Sequence, residues 1–310
     1  MGKKYPRPED RFFEDVDFVR RTGLLDIFLM DRTTGRNIIW ATGEVDEEKE
    51  IMVEDILGRI KPRWLKNEEA RKQRTRMSAE VFTPSGICRE MVKTIEGEES
   101  RPAKDFSTSL CLEITCGEAP FIASRYDMET GKSIEVKARF GFLDKKLEGM
   151  REEDITLETY RDRALRSLKS VYGYELHGDS LFMARINVFM DFVEHWNEKW
   201  TSNPDSEVLE DASEVVSWNF WQMDGLGDFL PPLKTAKKSL ETLHGMELGK
   251  YRSSSAPCKI RLWDNEEEVE FRNLFRNDSG ERKKSKKEAV KFRQNSSLSP
   301  LFPFKTNQIF

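Results

Sequence analysis

Glu113, Cys116, Gly117, Glu118, Phe121 and Glu175 are the residues whose types and spacing could hold a small-molecule ligand. The apolar run "SLCLEITC" (109–116) reads as a buried strand. It passes through the acid Glu113 and turns at Gly117 into "APFIASRYDM", which reads as a helix. A strand followed by a tight turn into a helix leaves unsatisfied backbone N–H groups beside the strand's carboxyl end. Gly117 permits close approach of a ligand, and Glu113 can orient the loop or meet an amino group. Ala119 and Pro120 stand where further glycines would be expected; alanine is a small loss, and proline is tolerated in a helix's first turn. Glu175 ends the next strand, in "VYGYELHG", where an acid accepts from both hydroxyls of a ribose. The plainer reading of the same residues is a strand–helix turn with no ligand and a solvent-exposed Glu175.

A second set lies in "VVSWNFWQMDG". It places the polar Asn219 among Trp218, Phe220 and Trp221. Three large aromatics in four residues suit a core. "RYDMETGKSIEVKAR" offers Asp127, Glu135 and Lys137, two carboxylates for Mg²⁺ and a lysine to help activate water, as in metal-dependent nucleases. Their spacing puts them across a short hairpin turned on Thr130-Gly131, so an exposed charged hairpin is expected. His177, His195 and His244 lack companions at ligand or triad spacing and are expected at the surface or its boundary. The four cysteines form no CxxC pair, so neither a zinc site nor a disulfide framework is expected, and a reducing compartment fits.

Positioning these residues requires an alternation of strands and helices. Residues 22–45 read as two strands around "DRTTGR", and a helical stretch, basic in its second half, spans about 50–75. "AEVFTPSGICREMVKTI" starts a helix with Thr83 as cap, Pro84 in the first turn, and Ile87, Met91 and Ile95 on one face. Beyond the strand at 109–116 come the hairpin and the helix "TLETYRDRALRSLKSV". The strand "VYGYELHG" and the amphipathic helix "DSLFMARINVFMDFVEHWNEKW" follow, then a further strand in "SEVVSWNFWQMDGLGDF". This alternation predicts a mostly parallel, doubly wound sheet.

Three of these stretches, in this order, resemble the adenine-specific DNA methyltransferases of restriction–modification systems, especially modification subunits. "AEVFTPSGICREM" resembles the family's "FFTP" segment, "LEITCGEAPFI" its "DPACGTGGFL" loop, and "YGYELHGDSLFMARINV" its "GQEINPTTYNLARMNL" segment. The resemblance implies a Rossmann-like core and S-adenosylmethionine as cofactor, with methyl transfer to adenine N6. It also implies that Phe82, Thr83 and Pro84 close the pocket over the methionine end. The family's Asn/Asp-Pro-Pro-aromatic loop, which accepts from the adenine amine and stacks on the flipped base, has no counterpart here. "SWNFW" is the nearest substitute. On the resemblance Asn219 could accept from the amine with Phe220 or Trp221 as the stacking face, or Ser217 and Phe220 could take the motif's end positions. "LPPL" (230–233) lacks both the polar first residue and the aromatic. A catalytically impaired relative that binds DNA or a restriction partner is the alternative.

Of the 310 residues, 51 are basic and 56 acidic, a net charge of -5, so nucleic-acid binding would need local basic patches. Residues 57–76 hold eight Lys/Arg against two Glu, and Lys61, Arg63, Lys66, Arg71, Lys72, Arg74 and Arg76 are the candidate phosphate contacts on double-stranded DNA. Residues 271–310 hold ten Lys/Arg against three acids. The expected organisation is an N-terminal hairpin and basic helical region (1–76), a cofactor-binding core (77–230) and a basic, partly disordered C-terminal region (231–310). No separate target-recognition domain is evident, so a specificity or restriction subunit is a candidate partner. "MGKKYPRPED" has no apolar signal segment and no run approaches about 20 apolar residues, so a soluble cytoplasmic protein is expected.

Overall fold

The computed structural model describes residues 8–41, 49–78, 83–98, 109–225, 232 and 257–274. Helices α1 (Pro8–Arg21) and α2 (Leu25–Leu29) lead into a short antiparallel pair, β1 (Met30–Asp31) and β2 (Arg36–Asn37). Helices α3 (Val53–Arg59), α4 (Glu68–Ser78) and α5 (Ser85–Glu98) precede β3 (Cys111–Ile114). Then come α6 (Phe142–Arg151), α7 (Leu157–Lys169), β4 (Val171–Glu175), α8 (Gly178–Trp200), α9 (Ser206–Asn219) and β5 (Phe220–Gln222). A hairpin, β6 (Lys259–Leu262) and β7 (Glu267–Glu270), closes the described chain.

The architecture is mixed α/β around a parallel three-stranded sheet ordered β3-β4-β5, compatible with a Rossmann-like core. Strands laid down side by side in one direction, each joined by a right-handed crossover, put every connecting helix on the same face. The strands show this by period-two alternation. Cys111, Val171 and Phe220 join the helical core, whereas Leu112, Ile114, Tyr172, Tyr174 and Trp221 pack with Cys258, Ile260 and Phe271 of the hairpin region. The expected double winding is therefore not what the described residues form. They form a single βαβαβ unit, with helices on one face and a β-hairpin on the other.

Several local expectations change for identifiable reasons. The residues after Gly117 form successive turns and no helix. The final strand shrinks to three residues because "SEVLEDASEVVSWN" winds as α9, capped by the Asp205 carboxylate accepting from Val208 N. Helix α8 is buried nearly all round from Gly178 to Val193, so it is the central helix and not an amphipathic surface one. Pro62 separates α3 from α4, with a 3₁₀ turn at Arg63–Leu65 between them. In α5 the buried apolar positions are Cys88 and Val92, while Ile87 is exposed. Among its described residues, the 22–45 stretch is helical at Leu25–Leu29, extended on either side of a turn in which Asp31 accepts from Thr33 N and Thr34 N, and bridged at Ile39 to Glu50. The hairpin at 126–133 reduces to one bridge, Tyr126–Ser133. The C-terminal region, expected to be partly disordered, contributes the β6–β7 hairpin to the second core.

Gly178 marks a close crossing. Its N–H donates to Trp40 O at 3.0 Å, and a Cβ there would lie 2.0 Å from the Ile39 carbonyl oxygen. Gly178→Ala is expected to cost about 1–3 kcal/mol through overpacking against backbone, measured as a lower urea midpoint at unchanged m-value.

Candidate functional site

The carboxyl ends of β3, β4 and β5 are where a βαβαβ unit presents its loops to a ligand. After β3 the backbone alternates through left-handed conformations at Thr115 (φ 49), Gly117 (φ 56) and Ala119 (φ 59). Left-handed geometry is cheap only for glycine, and for a β-branched threonine it is a strained outlier. Ala119 thus occupies a position whose backbone favours glycine. The loop is held by Cys116 N donating to Tyr174 O and Ala119 N donating to Cys116 O.

Glu113 orients this loop from below. It is 3% exposed, and its carboxylate accepts from the backbone of Phe121 and Ile122. Its Oε2 is buried without a hydrogen-bond partner. Burial, with the charge of Glu175 adding to it, pushes its pKa well above the carboxylate range. Cys116 is raised by burial and by Glu113, and Cys88, at the start of α5, is pushed up to about 12 by the same two causes. That shared influence places the Thr83-Pro84 helix start beside Glu113. Pro84 O accepts from Cys88 N, and Thr83 O lies 3.6 Å from Cys88 Sγ. Phe82 lies outside the described residues. Phe121 is core. Glu118 is buried too, accepting from Arg63 N and from the Tyr126 hydroxyl, both at 2.8 Å.

Glu175, on the central strand, reaches across to this loop. Its Oε2 accepts from Gly117 N at 2.9 Å, and its Oε1 meets Leu176 N, His177 N and His177 Nδ1 at 3.0–3.1 Å. Burial opposes its charge, but the hydrogen bond and charge of His177, with the backbone donors, hold its pKa below the usual value. Three donors thus crowd Oε1, whereas Oε2 accepts from Gly117 N alone and keeps a second lone pair. A ribose hydroxyl would be accepted at Oε2 beside Gly117 N, or at Oε1 in exchange for the His177 imidazole. His177 itself is 4% exposed, not a surface residue.

Asn219 does not join this site. It ends α9, fully buried at the amino end of the sheet, and its amide donates to the carbonyls of Leu168, Lys169 and Val171. Its Oδ1 accepts from Trp263 Nε1 at 2.8 Å. An amide so committed, at the opposite end of the strands from Gly117 and Glu175, cannot present an acceptor to a base. Phe220 and Trp221 offer no exposed stacking face either. Phe220 packs against Gly173 among the helices, and Trp221 packs against Phe271 with ring centroids 4.9 Å apart. Asp224 is the acid that the third strand places at its carboxyl end, half-buried beside Tyr174. Its charge adds to burial, Cys116 and Glu175 in raising that phenol to about 12. Asp224 holds this place because the chain stays helical to Asn219 and the strand begins only at Phe220. The nuclease-like set is not assembled: Asp127 accepts from Thr130 N and Oγ1 in its own turn, and Lys137 pairs with Glu198.

The basic segment divides between surface and interior. Lys61 and Lys72 are exposed, Lys72 pairing with Glu68. Arg63, Arg71 and Lys72 line an open concavity with Glu68 and Thr75. Lys66 and Arg74 turn inward to Asp179 in the first turn of α8, Arg74 with both terminal nitrogens. They are tethers, not phosphate contacts, and the side chain of Arg76 lies outside the described residues. Burial opposes the Asp179 charge, but Lys66 and Arg74 hold its pKa far below the ordinary value. A depressed folded pKa stabilises above the unfolded value near 3.8 and is lost as pH falls below it. Asp179→Asn is therefore expected to flatten the acid limb of the stability–pH curve below about pH 4. An acid limb as steep as wild type would place the carboxylate's contribution elsewhere.

No helix among the described residues is long and apolar enough to cross a membrane. The chain matches no protein-family model, no curated protein and no solved structure.

Proposed function

We propose that this chain is the cofactor-holding part of an S-adenosylmethionine-dependent DNA methyltransferase of a restriction–modification system, acting on adenine N6. The observation that supports this most is the order of three features along one edge of the sheet. The strained Gly117 loop, the acid Glu175 and the acid Asp224 end three adjacent parallel strands. A βαβαβ unit is the mononucleotide-binding half of a Rossmann-like fold. On this reading the methionine part lies by the Gly117 loop, where Glu113 Oε2 is an acceptor left over for an ammonium. The ribose meets Glu175, and Asp224 faces the adenine end. The cofactor, when bound, supplies an electrophilic methyl group on its sulfonium.

This assignment also accounts for the missing proline-rich loop. In "SWNFW" the strand is the third of the sheet, so the base-binding loop of a fourth strand lies outside these residues. On this reading a specificity or restriction subunit supplies it. Labelled-methyl transfer to mixed genomic DNA, run with and without co-expressed partner chains, tests the enzyme. A second reading, a catalytically impaired relative that binds DNA or a partner, is favoured by the commitment of Asn219 to the interior. Cofactor binding without transfer under any partner condition selects it.

DNA contact is expected at Lys61, Arg63, Arg71 and Lys72. Neutralising Arg71 and Lys72 together should lower the log–log salt slope of DNA binding by about two, if each meets one phosphate. An unchanged slope would move the DNA off this face.

A further inference from the structure

Behind the sheet, α6 and α8 enclose a polar cluster with no role in the reading above. Asp144 of α6 and Asp191 and His195 of α8 are at most 2% exposed. One ligand atom from each lies within 4.8 Å of the others. Asp191 and His195 are one helical turn apart, so both project from the same face of α8.

The hydrogen bonds around the three are arranged so that each carboxylate has one oxygen held and one turned inward. Asp144 Oδ2 accepts from Ser124 N (2.9 Å), Ser124 Oγ (2.9 Å) and Gly141 N (2.7 Å), leaving Oδ1 at 3.1 Å from His195 Nε2. Asp191 Oδ1 accepts from Arg139 Nη1 at 2.7 Å. Its Oδ2 is buried with no hydrogen-bond partner and lies 4.0 Å from His195 Nε2. Fixing a ligand through its other atom is how metal ligands are oriented by their surroundings.

The surrounding network contains the carboxylates of Asp15, Asp144, Asp191 and Glu194 and the guanidiniums of Arg11, Arg125 and Arg139. With the imidazole neutral, as a metal ligand must be, this leaves one negative charge in excess. A divalent ion would turn it into one positive charge, and a proton shared by Asp144 and Asp191 would cancel it, so geometry and not charge distinguishes the two.

We propose that Asp144, Asp191 and His195 form a binding site for a single divalent transition-metal ion, with a structural role in joining α6 to α8. One imidazole nitrogen with two carboxylate oxygens suits Zn²⁺ or Mn²⁺ and gives no thiolate to select a softer ion. Full enclosure means that the ion enters during folding and exchanges slowly afterwards.

The experiment refolds the protein from denaturant in Zn²⁺, in Mn²⁺ or in EDTA, dialyses each sample, and measures bound metal by mass spectrometry and Tm by calorimetry. The expected result is an equimolar ion retained through dialysis, with Tm raised by several degrees over the EDTA sample. Asp191→Asn keeps the side-chain volume and an oxygen for Arg139, and it should lower the affinity at least about tenfold. Two results overturn the proposal. One is a folded wild type that retains neither ion and melts identically in all three conditions, which leaves a shared proton between the carboxyl groups. The other is a folded Asp191→Asn variant that holds the metal against a competing chelator as tightly as wild type, which puts the ion elsewhere.

Discussion

Arg125→Ala is expected to lower global stability by about 3–5 kcal/mol, the range for breaking a buried ion pair by removing one partner. Arg125 is fully buried and ties three parts of the chain together. Its two terminal nitrogens grip Asp15 of α1 at 2.8 and 3.0 Å, and Nη2 also donates to Glu194 of α8 at 2.6 Å. Burial opposes the guanidinium charge, but Asp15 and Glu194 raise its pKa well above the ordinary value, so the charge persists in the interior. Removing it strands Asp15 at 7% exposure, whereas Glu194 keeps Arg11 and Arg139. The cost should therefore fall mainly on the docking of α1. The double variant Arg125→Met with Asp15→Asn should recover part of the loss, because no uncompensated charge remains. Urea titration of both variants checks this, and a loss under about 1 kcal/mol in Arg125→Ala would show that water or rearrangement relieves the carboxylates.

The parts of the fold carried by periodicity were legible in the sequence. Strands at 111–114 and 171–175 and helices at 157–169 and 178–200 follow apolar patterns long enough to resist context. Two kinds of residue were not legible. In "SWNFW", aromatic composition suits either a strand or a helix end, and tertiary packing decided that α9 runs to Asn219. That shift moved the polar group at the sheet's carboxyl end from Asn219 to Asp224. In the basic segment, a count of lysines and arginines says nothing of direction, and Asp179 draws Lys66 and Arg74 inward. His195 was misjudged although a signal was present: Asp191 lies four residues earlier on the same helix. Gly117 and Glu175, legible from strand ends alone, are within hydrogen-bond distance across β3 and β4.

Calorimetric titration of S-adenosylmethionine into the wild-type chain tests the central claim most directly, with Glu175→Gln run beside it. Glutamine keeps the size of the side chain but loses the charge that orders Gly117 N and His177 and that would accept the ribose. The account predicts saturable binding in wild type, competed by S-adenosylhomocysteine and by adenosine. In the variant it predicts affinity weaker by roughly 1.5–3 kcal/mol, about 10- to 100-fold, with the fold intact by circular dichroism. Wild type that is folded yet takes up neither S-adenosylmethionine nor its demethylated product at millimolar concentration would contradict it. Equal affinity in wild type and Glu175→Gln would contradict the site.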